Sequence, residues 1–236
     1  MGNMVFNMRI IDILEEFVKE IEKENPYGLV LKGGTALSLF YLNKHRESED
    51  LDFDTDKNNL KKWKDIEKYF IKILEGLKEQ RLIKDFKVGK SGLALTNRYH
   101  MKLEIETYKK IYTKIDVDFV KLSNVNKRGK LGLYSRERLF IGKLLTFIDR
   151  RDFKDLYDFY YLLDKLDTSV FKGNQKVIKL IDDVIKIIEE ENILNLYKKA
   201  FRNVDLRFKD LKYNELDSFI LKLVRKLRVL RNRLKL

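Results

Sequence analysis

Apolar side chains recur at helical spacing close to the start of the chain. Ile10, Ile13, Leu14, Phe17, Val18 and Ile21 form a stripe through residues 9–24, which predicts an amphipathic helix. Asn25-Pro26-Tyr27-Gly28 closes it, with the only proline of the chain and a glycine soon after. The period then changes. Residues 29–31 are a short apolar run of strand type, Lys32-Gly33-Gly34-Thr35 a turn, and 36–42 a short helix. Asp50-Leu51-Asp52-Phe53 alternates polar and apolar with a period of two, which predicts a strand. A charged helix is expected over 58–80, with Leu60, Trp63, Ile66, Phe70, Ile73, Leu74 and Leu77 along its buried side. Three more strands are expected, around 86–90, 99–109 and 112–121. In the last two, Leu103, Ile105, Ile115, Val117 and Phe119 face one way, while Glu104, Glu106, Asp116 and Asp118 face the other.

Residues 122–133 are polar, carry Gly129 and Gly132, and read as a loop. Beyond them the periodicity is helical throughout, over 135–150, 152–166, 175–198 and 214–235. The chain therefore divides into a mixed α/β part, residues 1–130, and a helical C-terminal region, residues 131–236. The fold class is α/β (α+β), a mixed sheet with flanking helices followed by helices that are expected to complete an active-site cleft.

Composition narrows the chemistry. A chain of 236 residues with 44% hydrophobic positions is long enough to bury a core and too apolar to be disordered. No run of about 18 uncharged apolar residues exists, so no membrane span is expected. The N-terminus lacks a basic region followed by a clean apolar stretch, so a cytoplasmic protein is expected. The absence of cysteine excludes disulfides, thiolate zinc sites and cysteine nucleophiles. Two histidines, His45 and His100, are too few for a typical zinc site, and neither adjoins a nucleophile-elbow pattern. Carboxylate, lysine, arginine and hydroxyl remain, the groups of magnesium and phosphate chemistry. A net charge of +13 fits a polyanionic partner such as RNA, DNA or nucleotide, although a generally lysine-rich surface would produce the same figure.

The most informative stretch is Gly33-Gly34-Thr35 followed, after a short helix, by Ser48-x-Asp50-x-Asp52. Residues two apart on a strand share a face, so Asp50 and Asp52 project together. Paired carboxylates repel unless a divalent cation joins them, and carboxylate with triphosphate oxygen is the ligand set Mg²⁺ prefers, Mn²⁺ being the substitute. A third acid from a neighbouring strand would complete a two-metal site, with Asp118 the first choice and Asp116 the second. The glycines after a strand let backbone N–H groups of Gly33 and Gly34 approach phosphate, and the Thr35 and Ser48 hydroxyls can donate to it.

Lys32-Gly-Gly-Thr-Ala-Leu37 followed by His45-Arg46-Glu-Ser48-Glu-Asp50-Leu-Asp52-Phe53 resembles the AbiEii family of nucleotidyltransferase toxins. Downstream, Lys143, Arg150 and Asp155-Leu156-Tyr157-Asp158 correspond to further family blocks, so that the resemblance covers residues 29–163. It implies a DNA polymerase β-like nucleotidyltransferase core that binds an NTP and Mg²⁺. It also implies the toxin half of a type IV-like toxin–antitoxin or abortive-infection system, a possible cognate antitoxin, and transfer to a biological acceptor that in some members is the 3′ end of tRNA. Lys154 stands where the family often has arginine, replacing a planar fork with a point charge. On a helical wheel Lys143 and Arg150 lie on one line beside the apolar arc of Phe140, Leu144, Phe147 and Ile148, from which they could snorkel into solvent or reach a triphosphate. Asp155 is expected to orient Lys143 or the acceptor, and Asp158 to serve as a buried partner for Arg150 or Arg151.

The reading is an Mg²⁺-dependent transferase that moves a nucleotide from an NTP to an acceptor hydroxyl, RNA foremost, with release of pyrophosphate. A small-molecule acceptor stays open, and so does a catalytically silent relative that binds RNA or protein. The C-terminal helix, with Phe219, Leu223, Leu227, Leu230 and Leu234 on one side and Lys222, Arg225, Lys226, Arg228, Arg231, Arg233 and Lys235 around the rest, is either a packing helix or an RNA-facing one.

Overall fold

The computed structural model describes residues 8–190, 197–198, 208 and 211–235. They fall into two compact units, one of residues 1–40 and 47–135, the other of 41–46 and 136–236.

The first unit is built on a seven-stranded mixed sheet: β1 (Val30–Lys32), β2 (Asp50–Asp56), β3 (Asp85–Ala94), β4 (Arg98–Glu106), β5 (Lys110–Val120), β6 (Val125–Arg128) and β7 (Leu131–Tyr134). Their order is β3-β4-β5-β2-β1-β7-β6. The β2–β5 and β1–β7 pairs are parallel and the rest antiparallel. Strand alternation sends Leu51, Phe53, Tyr99, Met101, Ile115 and Val117 to one buried face. Helices α1 (Ile10–Lys23) and α3 (Trp63–Glu79) meet over it, the Phe70 ring lying 5.7 Å from Phe17 and 5.9 Å from Phe53. The opposite face carries the polar alternates, Asp50, Asp52, Lys102, Lys114 and Asp116 among them.

Several expected elements differ. The loop expected over 122–133 is instead the hairpin of β6 and β7, and β7 is buried at every position. A four-residue strand covered on both faces shows no alternation, so its sequence carried no strand period. Gly129, at φ +57°, makes the turn, and Gly132 is required because a Cβ there would lie 2.7 Å from Val30 Cγ2 and 2.9 Å from Val125 Cγ1. The helix expected over 58–80 opens as a 3₁₀ segment, Lys57–Lys62, held by the Asp56 carboxylate accepting from Asn58 N–H. The short helix expected over 36–42 is a single turn, α2 (Gly33–Ala36), running into a π turn, Leu37–Tyr41.

The second unit contains α4 (Arg136–Arg150), α5 (Phe153–Leu163), a 3₁₀ turn (Thr168–Phe171), α6 (Gln175–Glu190) and α7 (Leu216–Lys235). The continuation expected for α6 over 191–196 lies outside the described residues, as do residues 1–7, part of the stretch read for a leader. Phe159 anchors the core, its ring 6.4 Å from Phe140 and 6.0 Å from Phe147, both in edge-on contact. Ion pairs Arg228–Glu189 at 2.5 Å and Arg231–Asp182 at 2.9 Å tie α7 to α6. Among the described residues no helix is long and apolar enough to cross a membrane.

Candidate functional site

The polar face of the first unit gathers acids in rows. Register sets Asp52 beside Asp116 and Asp54 beside Asp118 across the parallel β2–β5 pair, with Lys114 beside Asp50. The two alternatives for a third carboxylate are therefore different places. Asp118 is already bound: Arg98 Nη2 donates to it at 2.9 Å and Lys32 Nζ at 2.6 Å. Burial would raise its pKa, but Arg98 and Lys32 outweigh burial and hold the carboxyl below its usual range. Lys32 also pairs with Asp54, whose other oxygen accepts from the Tyr134 hydroxyl at 2.6 Å. Asp116 belongs instead with Asp50 and Asp52. Lys114 Nζ lies 2.8 Å from Asp116 and 3.8 Å from Asp50. Burial pushes the Asp52 carboxyl above the ordinary range, Asp116 and Asp50 add to the rise, and Lys114 and Lys32 oppose it.

Gly33 lies against this patch at φ +72°, and a Cβ there would run into the Asp52 carboxylate, 3.1 Å from its Cγ and closer still to an oxygen. Only glycine lets the turn and the acid meet. Thr35 and Ser48, expected to donate to phosphate, are buried and turned inward. Their hydroxyls share a 2.8 Å hydrogen bond, and Thr35 also donates to the Asp50 carbonyl. They tie the glycine turn to the first residue of β2, setting where Asp50 begins.

Among the described residues, no three acids or histidines converge closely enough to hold a metal ion as they stand. The donor set of Asp50, Asp52 and Asp116 still fits a hard divalent cation. It is all carboxylate oxygen, one member resists ionisation in isolation, and a cationic ammonium is already drawn into it.

In the second unit the predicted residues form a buried charge cluster. Asp155 and Asp158 are both fully buried. Lys143 Nζ donates to Asp155 at 2.9 Å and lies 2.7 Å from Asp158. Arg150 holds Asp155 through Nε at 2.8 Å and Nη2 at 2.9 Å. Asp158 does not pair with Arg150 or Arg151, as the sequence suggested; its partners besides Lys143 are Arg46, through Nη2 at 2.7 Å, and His45 Nε2 at 2.8 Å. Burial opposes ionisation of Asp158, yet Arg46 and Lys143 overcome it and hold the carboxyl well below its usual range. Burial pushes the His45 pKa down, so its Nε2–H donates to Asp158 and its buried Nδ1 is left without a partner.

Sequence reasoning gave no role to Lys114, Lys32, Arg98, Asp54, Tyr134, His45 or Arg46. Lys114 was visible in principle, since alternation sets it on the face of Asp116. Lys32 and Arg98 needed the strand pairing, which no local pattern encodes. His45 and Arg46 sat in the quoted block, but only the fold brings them to Asp158, more than a hundred positions on.

The chain matches the family described as nucleotidyl transferase AbiEii toxin, type IV TA system, over residues 13–217. A search of curated proteins returns no significant match. Among solved structures, MenT4, a nucleotidyltransferase toxin from Mycobacterium tuberculosis H37Rv, is similar with a TM-score of 0.53 at 15% identity, over 92% of this chain and 82% of that one. The Megavirus polyadenylate synthase aligns with a TM-score of 0.38 at 14% identity, over 92% of this chain and 49% of that one. At 15% identity the MenT4 structure speaks to fold alone, whereas the family match spans most of the chain, its glycine turn, its acid strand and its charged helices alike. The chain is a nucleotidyltransferase and belongs to the AbiEii toxin family of type IV toxin–antitoxin systems.

Proposed function

We propose that this toxin transfers a nucleotide from an NTP to a hydroxyl of an RNA acceptor, the 3′ end of tRNA foremost, with Mg²⁺ held by Asp50, Asp52 and Asp116. The observation that carries the reading is the register that sets Asp52 beside Asp116, with Lys114 reaching Asp116 and Asp50 and Gly33 against Asp52, while Asp118 is engaged by Arg98 and Lys32. This moves the third carboxylate from Asp118, the first choice on sequence, to Asp116. Bound magnesium, or manganese in its place, would supply charge neutralisation for the triphosphate and the leaving pyrophosphate and a lowered pKa for the attacking hydroxyl.

The chain's own groups do the rest. The turn at Gly33, which is only partly buried, brings the first N–H groups of α2, without partners within the helix, close to where phosphate oxygens would meet the acids. Thr35 and Ser48 fix the turn against β2. Asp118, Lys32, Asp54 and Arg98 brace the far end of the acid rows. In the second unit Asp155 orients both Lys143 and Arg150, and Arg150 is 42% exposed while holding its acid. Three cations, Arg46, Lys143 and Arg150, face two carboxylates there, and the positive surplus suits a polyanion.

Incubation of the pure protein with total RNA, Mg²⁺ and each α-labelled NTP in turn tests the proposal. RNA-sized labelled product is expected, lost with a chelator, lost in Asp52→Asn and Asp116→Asn, and retained in part by Asp118→Asn. Full transfer by Asp116→Asn would return the role to Asp118, and a small labelled product would move the acceptor out of RNA altogether.

A further inference from the structure

Lys114 occupies an unusual position on the polar face. Its ammonium sits 2.8 Å from Asp116 and 3.8 Å from Asp50, and it is the strongest opponent of the raised pKa of Asp52. On its other side the antiparallel register sets it directly opposite Lys102 of β4. Like charges facing each other across strands are mildly destabilising, and leaning on the acids relieves that repulsion. The Lys114 side chain is 43% exposed, and its flexible stem has room to turn away.

Resting on the metal site proposed above, we infer that Lys114 is a resident counter-ion of the acid patch: it stands where the metal binds and yields that place on metal entry. The arrangement accounts for an acid group that has the right ligands yet does not converge on a metal site as it stands. A divalent cation carries twice the charge and can accept oxygen from all three acids at once, whereas a lysine with three donors reaches two. Once displaced, the ammonium lies beside Lys102 without a counter-charge, and the pair becomes a site for a phosphate group. The same side chain thus keeps the empty patch from repelling itself and adds a second cation to the anion site once the metal is in place.

The test uses Mn²⁺ as the probe on the full-length protein, read by the loss of its free-ion paramagnetic resonance signal. Lys114→Met removes the competitor, so Mn²⁺ should bind about fivefold tighter, the change that one partly exposed ion pair is worth. Its metal-free melting temperature should fall, and the rise on adding Mn²⁺ should exceed that of the wild type. Should that variant not fold, the wild type decides alone. Limited acylation of amines followed by peptide mass spectrometry should show Lys114 labelled faster with Mn²⁺ than without, relative to exposed Lys127. Unchanged labelling, or equal or weaker Mn²⁺ binding by Lys114→Met, would overturn the counter-ion role and leave the metal site standing. Wild-type protein that binds no Mn²⁺, or an Asp52→Asn variant that binds it undiminished, would overturn the metal site and this inference with it.

Discussion

Because burial disfavours its ionised form and Asp116 and Asp50 add to that, Asp52 works against the metal-free fold at neutral pH. A carboxyl whose pKa is higher folded than unfolded binds its proton more tightly in the native state. The cost is therefore absent at pH below the unfolded value, grows as pH rises through the raised folded value, and is constant above it. Asp52→Asn should accordingly melt higher than wild type at neutral pH and abolish transfer, with the melting advantage shrinking towards zero as pH falls to about 4. Thermal melts of both proteins across that range check it; an advantage that grew on acidification would contradict the burial argument. The pairing of Asp50 with Asp52 was legible in the sequence because both lie on one strand, where alternation alone sets direction. The grounds on which we propose Asp116 over Asp118 were not, since each alternates correctly, and the β2–β5 register and the ion pairs of Lys32 and Arg98 exist only in the fold.

Helix α7 looks uniformly basic in sequence, but its cations divide by position. Arg228 and Arg231 are bound to Glu189 and Asp182 of α6 and join two helices, while Lys222, Arg225, Arg233 and Lys235 are exposed. Charge reversal of Arg228 and Arg231 together should lower the melting temperature by a few degrees at low salt, with the difference narrowing at high salt because exposed pairs are screened. Reversal of Lys222 and Arg225 should leave the melt unchanged. If α7 touches an RNA backbone, that second reversal should flatten the salt dependence of binding by roughly 0.7 in log–log slope for each contact removed. Filter binding at several salt concentrations reads this directly, and an unaltered slope assigns α7 to packing alone. Amphipathic helices such as α1, α3 and α7 were readable because one buried stripe leaves a 3.6-residue period. The β6–β7 hairpin was not, because β7 is buried on both faces and the reason for Gly132 lies partly in Val30, about a hundred positions away.

For the molecule as a whole, membership in a toxin family makes growth the natural readout. Expression of the wild type is expected to slow bacterial growth, and Asp52→Asn and Lys143→Ala to relieve it at matched soluble levels. Equal inhibition by wild type and Asp52→Asn would separate toxicity from nucleotide transfer. Matching soluble protein matters for Lys143, which supports two fully buried carboxylates, so that its loss leaves charge poorly compensated in the interior. The shift from mixed to helical structure was visible as a change of period along the chain. The membership of residues 41–46 in the helical unit was not, since a six-residue excursion leaves no period to read. That excursion bears on how the protein is made. His45 and Arg46 leave the ribosome well before Asp158 is translated, so the contiguous helical sequence by itself offers this buried acid only Lys143, a cation already shared with Asp155. A chain released after Ser135 would hold every strand of the sheet yet leave these two side chains without their acid, and a gene fragment beginning at Arg136 would encode Asp158 without Arg46. The charge cluster around Asp158 is therefore assembled from two separate stretches of the chain, and it is complete only when translation has passed α5.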